Sequence, residues 1–438
     1  EGEAGMDVFA MDVARYGVHA DADFVLEKTT ENYRRRFTIT CPNEELPAAR
    51  PLKTTPAYGE FAKAGAAFGA LYGWEYPLWF AGEGKTASEA PTFRRSEAFD
   101  RIGEEATAVR AAAGLFESSC YAKFEVTGAG ATAFLDKISS NTLPKADGKT
   151  ALAPLLTPKG QVFGDLTVTR LSADRYLMIG SPTAIVYYQR WFDRYRDGNV
   201  AIRDVTAEWT GFSLTGPKAR AVLAGLVTED ISHQAFPFLS ARRMKVGLAE
   251  ALVIRVSFTG ELGYEIYTAP EFQLHVLQRL RAAGKAHGLK LCGMRALNAL
   301  RLEKGYGSWG REFSVDYNPA EAGLGRFVRP EKGDFIGREA AQKILATEPK
   351  RRLTIFALDA GKVDPMGNEP VLANGEVVGR LTSGGFGYHV GHAIGLGYIK
   401  REVADSANQV EIEILGERRT ARILKDAPYD AEGKRLRM

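Results

Sequence analysis

Leu156-Thr-Pro-Lys-Gly-Gln-Val-Phe-Gly-Asp165-Leu-Thr-Val-Thr169 holds the clearest architectural signal in the chain. The Gln161 to Leu171 stretch (QVFGDLTVTRL) is rich in apolar and β-branched residues and reads as a strand. Polar Ser172-Ala-Asp then separates it from a second apolar run, 175–179, so a strand pair is expected. Upstream, Lys123-Phe-Glu-Val-Thr127 alternates like a strand and 131–138 reads as a helix. Downstream, 183–195 reads as another helix. The same order recurs as strand 211–214, helix 217–226, strands near 252–258 and 264–268, and helix 272–287. Strand-helix-strand-strand given twice predicts a duplicated α+β unit of ferredoxin-like type.

Further out, 104–113 (EEATAVRAAA) suits a helix that stops at Gly114. Residues 345–350 (LATEPK) are mostly polar, contain Pro349 and read as a linker. After them come about six short strands in 90 residues, with Asn374-Gly375 as a hairpin turn. That spacing predicts a small antiparallel barrel. Residues 1–95 read as irregular and aromatic-rich, with a helical patch over 61–68. Trp74, Tyr76, Trp79 and Phe80 crowd around Pro77, a cluster that suits an interdomain plug. The expected segments are 1–95, 96–345 and 346–438.

The chain has 438 residues, 45% hydrophobic and 25% charged, which excludes a disordered chain and leaves ample length for a core. Lys+Arg minus Asp+Glu is 57 − 54 = +3, so composition gives no case for nucleic acid. No apolar run of about 18 residues suggests a membrane span. Three cysteines (Cys41, Cys120, Cys292) are too few and scattered for a disulfide framework or a zinc site, which fits a reducing compartment. The chain begins Glu1-Gly-Glu-Ala-Gly without an initiator Met, as a fragment or processed product would.

Gly128-Ala-Gly130-Ala-Thr-Ala133 is a GxGxxA, but no second parallel strand ending in an acidic residue follows, so it reads as a turn and cap. His389-Val-Gly-His392 offers too few ligands for a metal, and no metal is expected. What stands out are polar residues inside apolar elements: Asp165 and Glu265 in strands, and Arg295, six residues before Arg301, in a helix. On residues alone, each is either a half-exposed face residue or a cleft group.

Gly114-Leu-Phe-Glu-Ser-Ser, Lys123-Phe-Glu-Val-Thr-Gly, Ser140-Asn-Thr-Leu-Pro, the 156–169 stretch, Leu214-Thr-Gly-Pro-Lys-Ala, Ser257-Phe-Thr-Gly-Glu-Leu-Gly-Tyr-Glu265 and Ala299-Leu-Arg-Leu-Glu-Lys-Gly-Tyr occur in order. Together they resemble the folate-binding aminomethyltransferase fold. That fold is shared by the glycine cleavage T-protein and the C-terminal halves of dimethylglycine and sarcosine dehydrogenases. Thr382-Ser-Gly-Gly and Ile394-Gly-Leu-Gly-Tyr-Ile resemble its C-terminal barrel hairpin. Met11-Asp-Val-Ala-Arg-Tyr-Gly, Tyr33-Arg-Arg-Arg-Phe, Ala49-Arg-Pro-Leu, Thr55-Pro-Ala-Tyr, Gly65-Ala-Ala-Phe-Gly and Gly73-Trp-Glu-Tyr-Pro-Leu-Trp-Phe resemble the segment that joins flavin and folate domains in those dehydrogenases.

The resemblance implies an α+β fold of duplicated ferredoxin-like units plus a small C-terminal antiparallel β-barrel. It implies tetrahydrofolate as cofactor, with FAD held only by a domain preceding this region, in cis or on a partner chain. Glu265 is the expected pterin anchor, because an ionised carboxylate accepts two adjacent N–H groups side by side. Asp165 matches the aspartate beside the nitrogens that receive the one-carbon unit. Arg295 matches an arginine for the anionic folate tail. Trp309 is expected as a cleft wall, and Phe258, Tyr264 and Thr167 as further folate contacts. Phe258 replaces a tyrosine common in relatives, and Gly164 replaces a second aspartate of the T-protein, so Asp165 would act alone.

The implied function is capture on tetrahydrofolate of the one-carbon unit from an oxidised N-methyl amine such as dimethylglycine or sarcosine, giving methylenetetrahydrofolate. The alternatives are a non-catalytic folate-binding module and a T-protein-like transferase acting on a carrier-bound substrate. No nucleic acid or membrane partner is expected. The compartment would be bacterial cytoplasm, or mitochondrial matrix in a eukaryote.

Overall fold

The computed structural model describes residues 6–438. Helix α1 (Ala22–Arg34) and helix α2 (Tyr58–Lys63) precede a hairpin of β1 (Ala66–Leu71) and β2 (Trp74–Phe80). Then follow α3 (Ala98–Ala111), β3 (Ala113–Glu117), β4 (Ala122–Thr127), α4 (Ala131–Ile138), β5 (Lys149–Leu156), β6 (Val162–Ser172), β7 (Arg175–Gly180), α5 (Ile185–Tyr195) and β8 (Ala201–Asp204). The second unit comprises β9 (Thr210–Thr215), α6 (Ala219–Ala224), β10 (Ala241–Val246), β11 (Ala249–Ile254), β12 (Gly263–Thr268) and α7 (Gln273–Gly284). β13 (Leu289–Leu291), α8 (Met294–Glu303) and α9 (Arg338–Leu345) lead to the C-terminal strands. These are β14 (Arg351–Leu358), β15 (Pro370–Ala373), β16 (Glu376–Gly387), β17 (His392–Lys400), β18 (Gln409–Ile414) and β19 (Glu417–Leu424), with α10 (Arg401–Ser406) after β17.

Two sheets carry the duplication. The first has the order β5-β6-β7-β4-β8 and the second β10-β11-β12-β9-β3-β13. β4, β6 and β7 correspond to β9, β11 and β12, with the same antiparallel pairings. The duplicated α+β unit expected from the sequence is present. Beside β9, however, the second sheet takes β3, a strand from before the first unit, where the first sheet uses β8.

Local patterns explain the elements that were legible. Helix α4 buries Ala131, Phe134, Leu135 and Ile138, a helical spacing facing the sheet. Gly128 turns the chain into it with φ +112°, and a Cβ there would lie 2.5 Å from the Asn199 carbonyl oxygen. Helices α4 and α5 cover the outer face of the first sheet, and α6 and α7 that of the second. The inner faces meet along a seam of Leu177, Ile179, Leu252, Ile254 and Tyr267.

The region expected to be irregular is instead ordered by the β1–β2 hairpin. The helical patch stops at Lys63 because Gly65 takes a left-handed conformation (φ +82°), where an added Cβ would meet the Gly82 carbonyl at 2.4 Å. Tyr76, Leu78 and Trp79 bury themselves against α3 and α8. The Glu105 carboxylate ties this layer together by accepting the N–H groups of Phe80 (2.7 Å) and Gly293 (2.8 Å). The strand expected near 252–258 ends at Ile254, so Phe258 stands in a loop.

The six C-terminal strands close into a barrel, β14-β17-β16-β15-β18-β19, sealed by β14 with β19. Buried Glu312 docks it. Its carboxylate accepts from Arg301 Nη1 (3.0 Å), the Ser308 N–H (2.9 Å), Thr382 Oγ1 (2.7 Å) and the Ser383 hydroxyl. Among the described residues, no helix is long and apolar enough to cross a membrane, and no group of three or more His, Cys, Asp or Glu could hold a metal ion.

Candidate functional site

A cavity of about 1760 Å³ opens between the two sheets, α8, the barrel and the 81–97 segment. Strand alternation decides which side chains reach it. On β6, Leu166 and Val168 enter the helix-covered core, so Asp165 and Thr167 point the other way and line the cavity. On β12, Tyr264 and Ile266 enter the second core, and Glu265 lines the cavity. Tyr264, expected beside the folate, therefore faces away. It is fully buried, and its hydroxyl accepts from Arg220 Nε at 3.2 Å. The period of two in Gly-Tyr-Glu-Ile-Tyr was the signal: Glu265 and Tyr264 cannot share a face.

Burial raises the Asp165 carboxyl to about 7, so it holds and releases a proton near neutrality. Its neighbour Gly164 has no room for a second carboxylate. The Tyr188 ring lies against it, and a Cβ would come within 2.7 Å of Tyr188 Cε1. Burial also raises Glu265, while the Tyr267 hydroxyl, donating to Oε2 at 2.8 Å, and the Lys123 ammonium pull it back down. Tyr267 was not singled out from the sequence, although it lies two residues on and shares the Glu265 face.

Trp309 lines the cavity and is fixed by its indole N–H, which donates to the Phe163 carbonyl at 3.0 Å. Phe9 meets it edge-on at 4.8 Å, so the N-terminal segment braces this wall. Phe258 also lines the cavity and stacks on Tyr306 at 5.9 Å. Arg295 stands at the cavity, but its Nη1 donates to both oxygens of Glu89 (2.7 and 2.6 Å) and its Nη2 to the Asn43 carbonyl (3.1 Å). Tyr121, outside every quoted motif, and Asn141, quoted only within the Ser140-Asn-Thr-Leu-Pro motif without a role, also stand on the wall; Asn141 Nδ2 donates to the Leu152 carbonyl at 2.8 Å.

The structure thus gathers Asp165, Thr167, Glu265, Phe258, Arg295 and Trp309 around one cavity and leaves out Tyr264. Chemically, this is a large space with carboxylates supplied by two different sheets and aromatic walls.

Comparison with known proteins agrees with this architecture. Residues 57–332 match the GCVT N-terminal domain, 351–430 the glycine cleavage T-protein C-terminal barrel domain, and 1–55 the FAD dependent oxidoreductase central domain. Mouse (Mus musculus) mitochondrial dimethylglycine dehydrogenase is 35% identical over 100% of this chain and 51% of its own length, so the chain spans about half of that relative. An aminomethyltransferase of Symbiobacterium thermophilum is 33% identical over 88% of this chain and 99% of its own length. In fold, the chain resembles the glycine cleavage system aminomethyltransferase T of Bartonella henselae, with a TM-score of 0.75, 24% identity and coverage of 87% of this chain and 99% of that one. With its T-protein domain and barrel both matched, and an oxidoreductase central segment ahead of them, the chain belongs to the glycine cleavage T-protein family, in the arrangement that dimethylglycine dehydrogenase also carries.

Proposed function

We propose that this chain binds tetrahydrofolate and captures on it the one-carbon unit released when an N-methyl amine, such as dimethylglycine or sarcosine, is oxidised. The observation that carries this reading is that Asp165 and Glu265, from separate sheets, line a single cavity. At about 1760 Å³ the cavity exceeds the usual range for one small ligand, about 300–1,000 Å³. A folate and an amine-derived fragment fit together, which makes their combination effectively unimolecular. When bound, the folate supplies the nucleophilic nitrogens that accept the one-carbon unit.

The protein does the rest. Glu265, held from behind by Tyr267, accepts the pterin N–H donors. Asp165 takes up the proton released as the new bond forms, and its negative charge stabilises the developing cation. Phe258 and Trp309 flank the ring system, and Thr167 lies on the Asp165 wall. Arg295 receives the anionic tail by exchanging Glu89 for it. FAD would be bound by a separate flavin domain that oxidises the amine. Exposed apolar residues of the segment matched to the oxidoreductase central domain, among them Tyr33, Phe37 and Ile39, offer it a surface.

Calorimetric titration with tetrahydrofolate tests the reading. Saturable binding is expected, weakened about 10- to 100-fold in Glu265→Gln, the loss of a charge-assisted hydrogen bond pair. A well-folded wild-type chain that does not bind would overturn the reading and favour a non-catalytic module.

A further inference from the structure

Lys123, on β4, is fully buried. Its ammonium donates to the carbonyls of Ser119 (2.8 Å) and Tyr121 (2.9 Å) and lies 5.4 Å from the centre of the Tyr267 ring. It has no ion-pair partner among the described residues. Burying an ammonium with no carboxylate in direct ion-pair contact is strongly unfavourable, and an apolar side chain of similar length would fill the space. The hydroxyl of the same ring donates to Glu265 Oε2 at 2.8 Å. Contacts thus link cation, ring, hydroxyl and carboxylate in that order, and the carboxylate lines the cavity.

We propose that Lys123 is a positioning residue for the cavity carboxylate: acting through Tyr267, its buried charge holds Glu265 ionised and fixed toward the ligand. The inference rests on the folate reading only for what Glu265 then binds. The charged and titratable groups facing Lys123 are Glu265 on β12, Asp204 at the end of β8, and Glu117 and Cys120 from β3 and the turn after it. Tyr121 faces both Glu265 and Tyr267. Asp204 is already engaged by the Thr206 N–H (2.9 Å) and hydroxyl (2.6 Å). Burial raises Cys120 to about 12, leaving it neutral, and raises Glu117 to about 7. Burial lowers Lys123 to about 8, so it still carries its charge at neutral pH.

The test is the midpoint at which the Glu265 carboxyl titrates in the ligand-free chain, followed by carboxyl 13C NMR and assigned by its disappearance in Glu265→Gln. Beside it, the pH dependence of binding of 5-formyltetrahydrofolate, an air-stable probe, is measured. Lys123→Met is expected to move the midpoint up by about one pH unit or more. Probe binding should then weaken at neutral pH and recover at higher pH. Tyr267→Phe should move it the same way by less, and Lys123→Arg should keep it near wild type. An unmoved midpoint in both Lys123→Met and Tyr267→Phe overturns the proposal, as does a loss of binding that is equal at every pH. A shift of equal size in Glu117→Gln would assign Lys123 to Glu117 and overturn it too. If the midpoint moves as expected but wild type never binds the probe, the positioning role stands and the folate reading falls.

Discussion

The two halves of the duplication place their polar residues on different strands. Register aligns β6–β7 with β11–β12: Thr167 pairs with Ile179 as Leu252 pairs with Tyr267, and Thr169 with Leu177 as Ile254 with Glu265. In the first unit β6 faces the seam with Asp165, Thr167 and Thr169, opposite apolar Leu177 and Ile179 on β7, and Lys123 on β4 lies beyond them, paired with Ile179. In the second they sit on β12, as Glu265 and Tyr267, opposite apolar Leu252 and Ile254 on β11. Tyr176 and Tyr264 occupy the same register and are both fully buried, facing their helices. The helix-facing side of the unit has therefore stayed alike. The seam side has diverged in complementary fashion, which puts one carboxylate on each sheet without bringing the two onto neighbouring strands.

This comparison can be broken most sharply at Asp165. Asp165→Asn is expected to lower one-carbon transfer by about 10²- to 10⁴-fold while folate affinity holds. Glu250→Gln, at the matching register of β11 but exposed, should change neither. Wild-type transfer should rise with pH through about 7 as Asp165 ionises, and the variant should lose that rise. The sign for stability is opposite. A carboxyl raised on folding stabilises at low pH and loses that contribution as pH rises from about 4 to about 7. Asp165→Asn should therefore melt higher than wild type at pH 8, which a thermal scan would show. Equal transfer by both proteins would end the assigned role.

Next in size is a transplant. Leu177→Glu puts the carboxylate of the second unit at the matching site of the first, where Ile179 replaces the hydroxyl of Tyr267. A buried carboxyl without its donor should cost about 2–4 kcal/mol in urea unfolding. A neutral outcome would mean that the seam tolerates polarity in either unit. Arg295→Ala should reduce the affinity gained from the glutamate tail, read as the difference between tetrahydrofolate and tetrahydropteroate, by about 5- to 20-fold. Glu89→Gln should increase it, because Arg295 no longer has to be freed. The smallest effect is expected at the conserved-register tyrosines. Tyr176→Phe and Tyr264→Phe each lose one hydroxyl bond, to Thr132 (2.8 Å) and from Arg220, for about 1 kcal/mol or less of stability. Folate affinity should be unchanged in both, and a change in Tyr264→Phe would contradict its outward placement.

Elements with a local signal were legible in the amino-acid order. Helix α4 followed from its apolar spacing, the β6–β7 pair from its apolar runs around Ser172-Ala-Asp, and the barrel from short strands with turn residues between them. The amino-acid order also contained, in the period of two, the separation of Glu265 from Tyr264. Tertiary structure decided what depends on distant pairing. β3 joins β9 across nearly a hundred residues, the β1–β2 hairpin is held by Glu105 bonding Phe80 and Gly293, and Arg295 meets Glu89 from a segment two hundred residues away. Above all, the sharing of one cavity by Asp165 and Glu265 arises only when two sheets pack along an apolar seam. No periodicity within either strand specifies which other strand it will face, because that choice is made by the burial of Leu177, Ile179, Leu252 and Ile254 against one another.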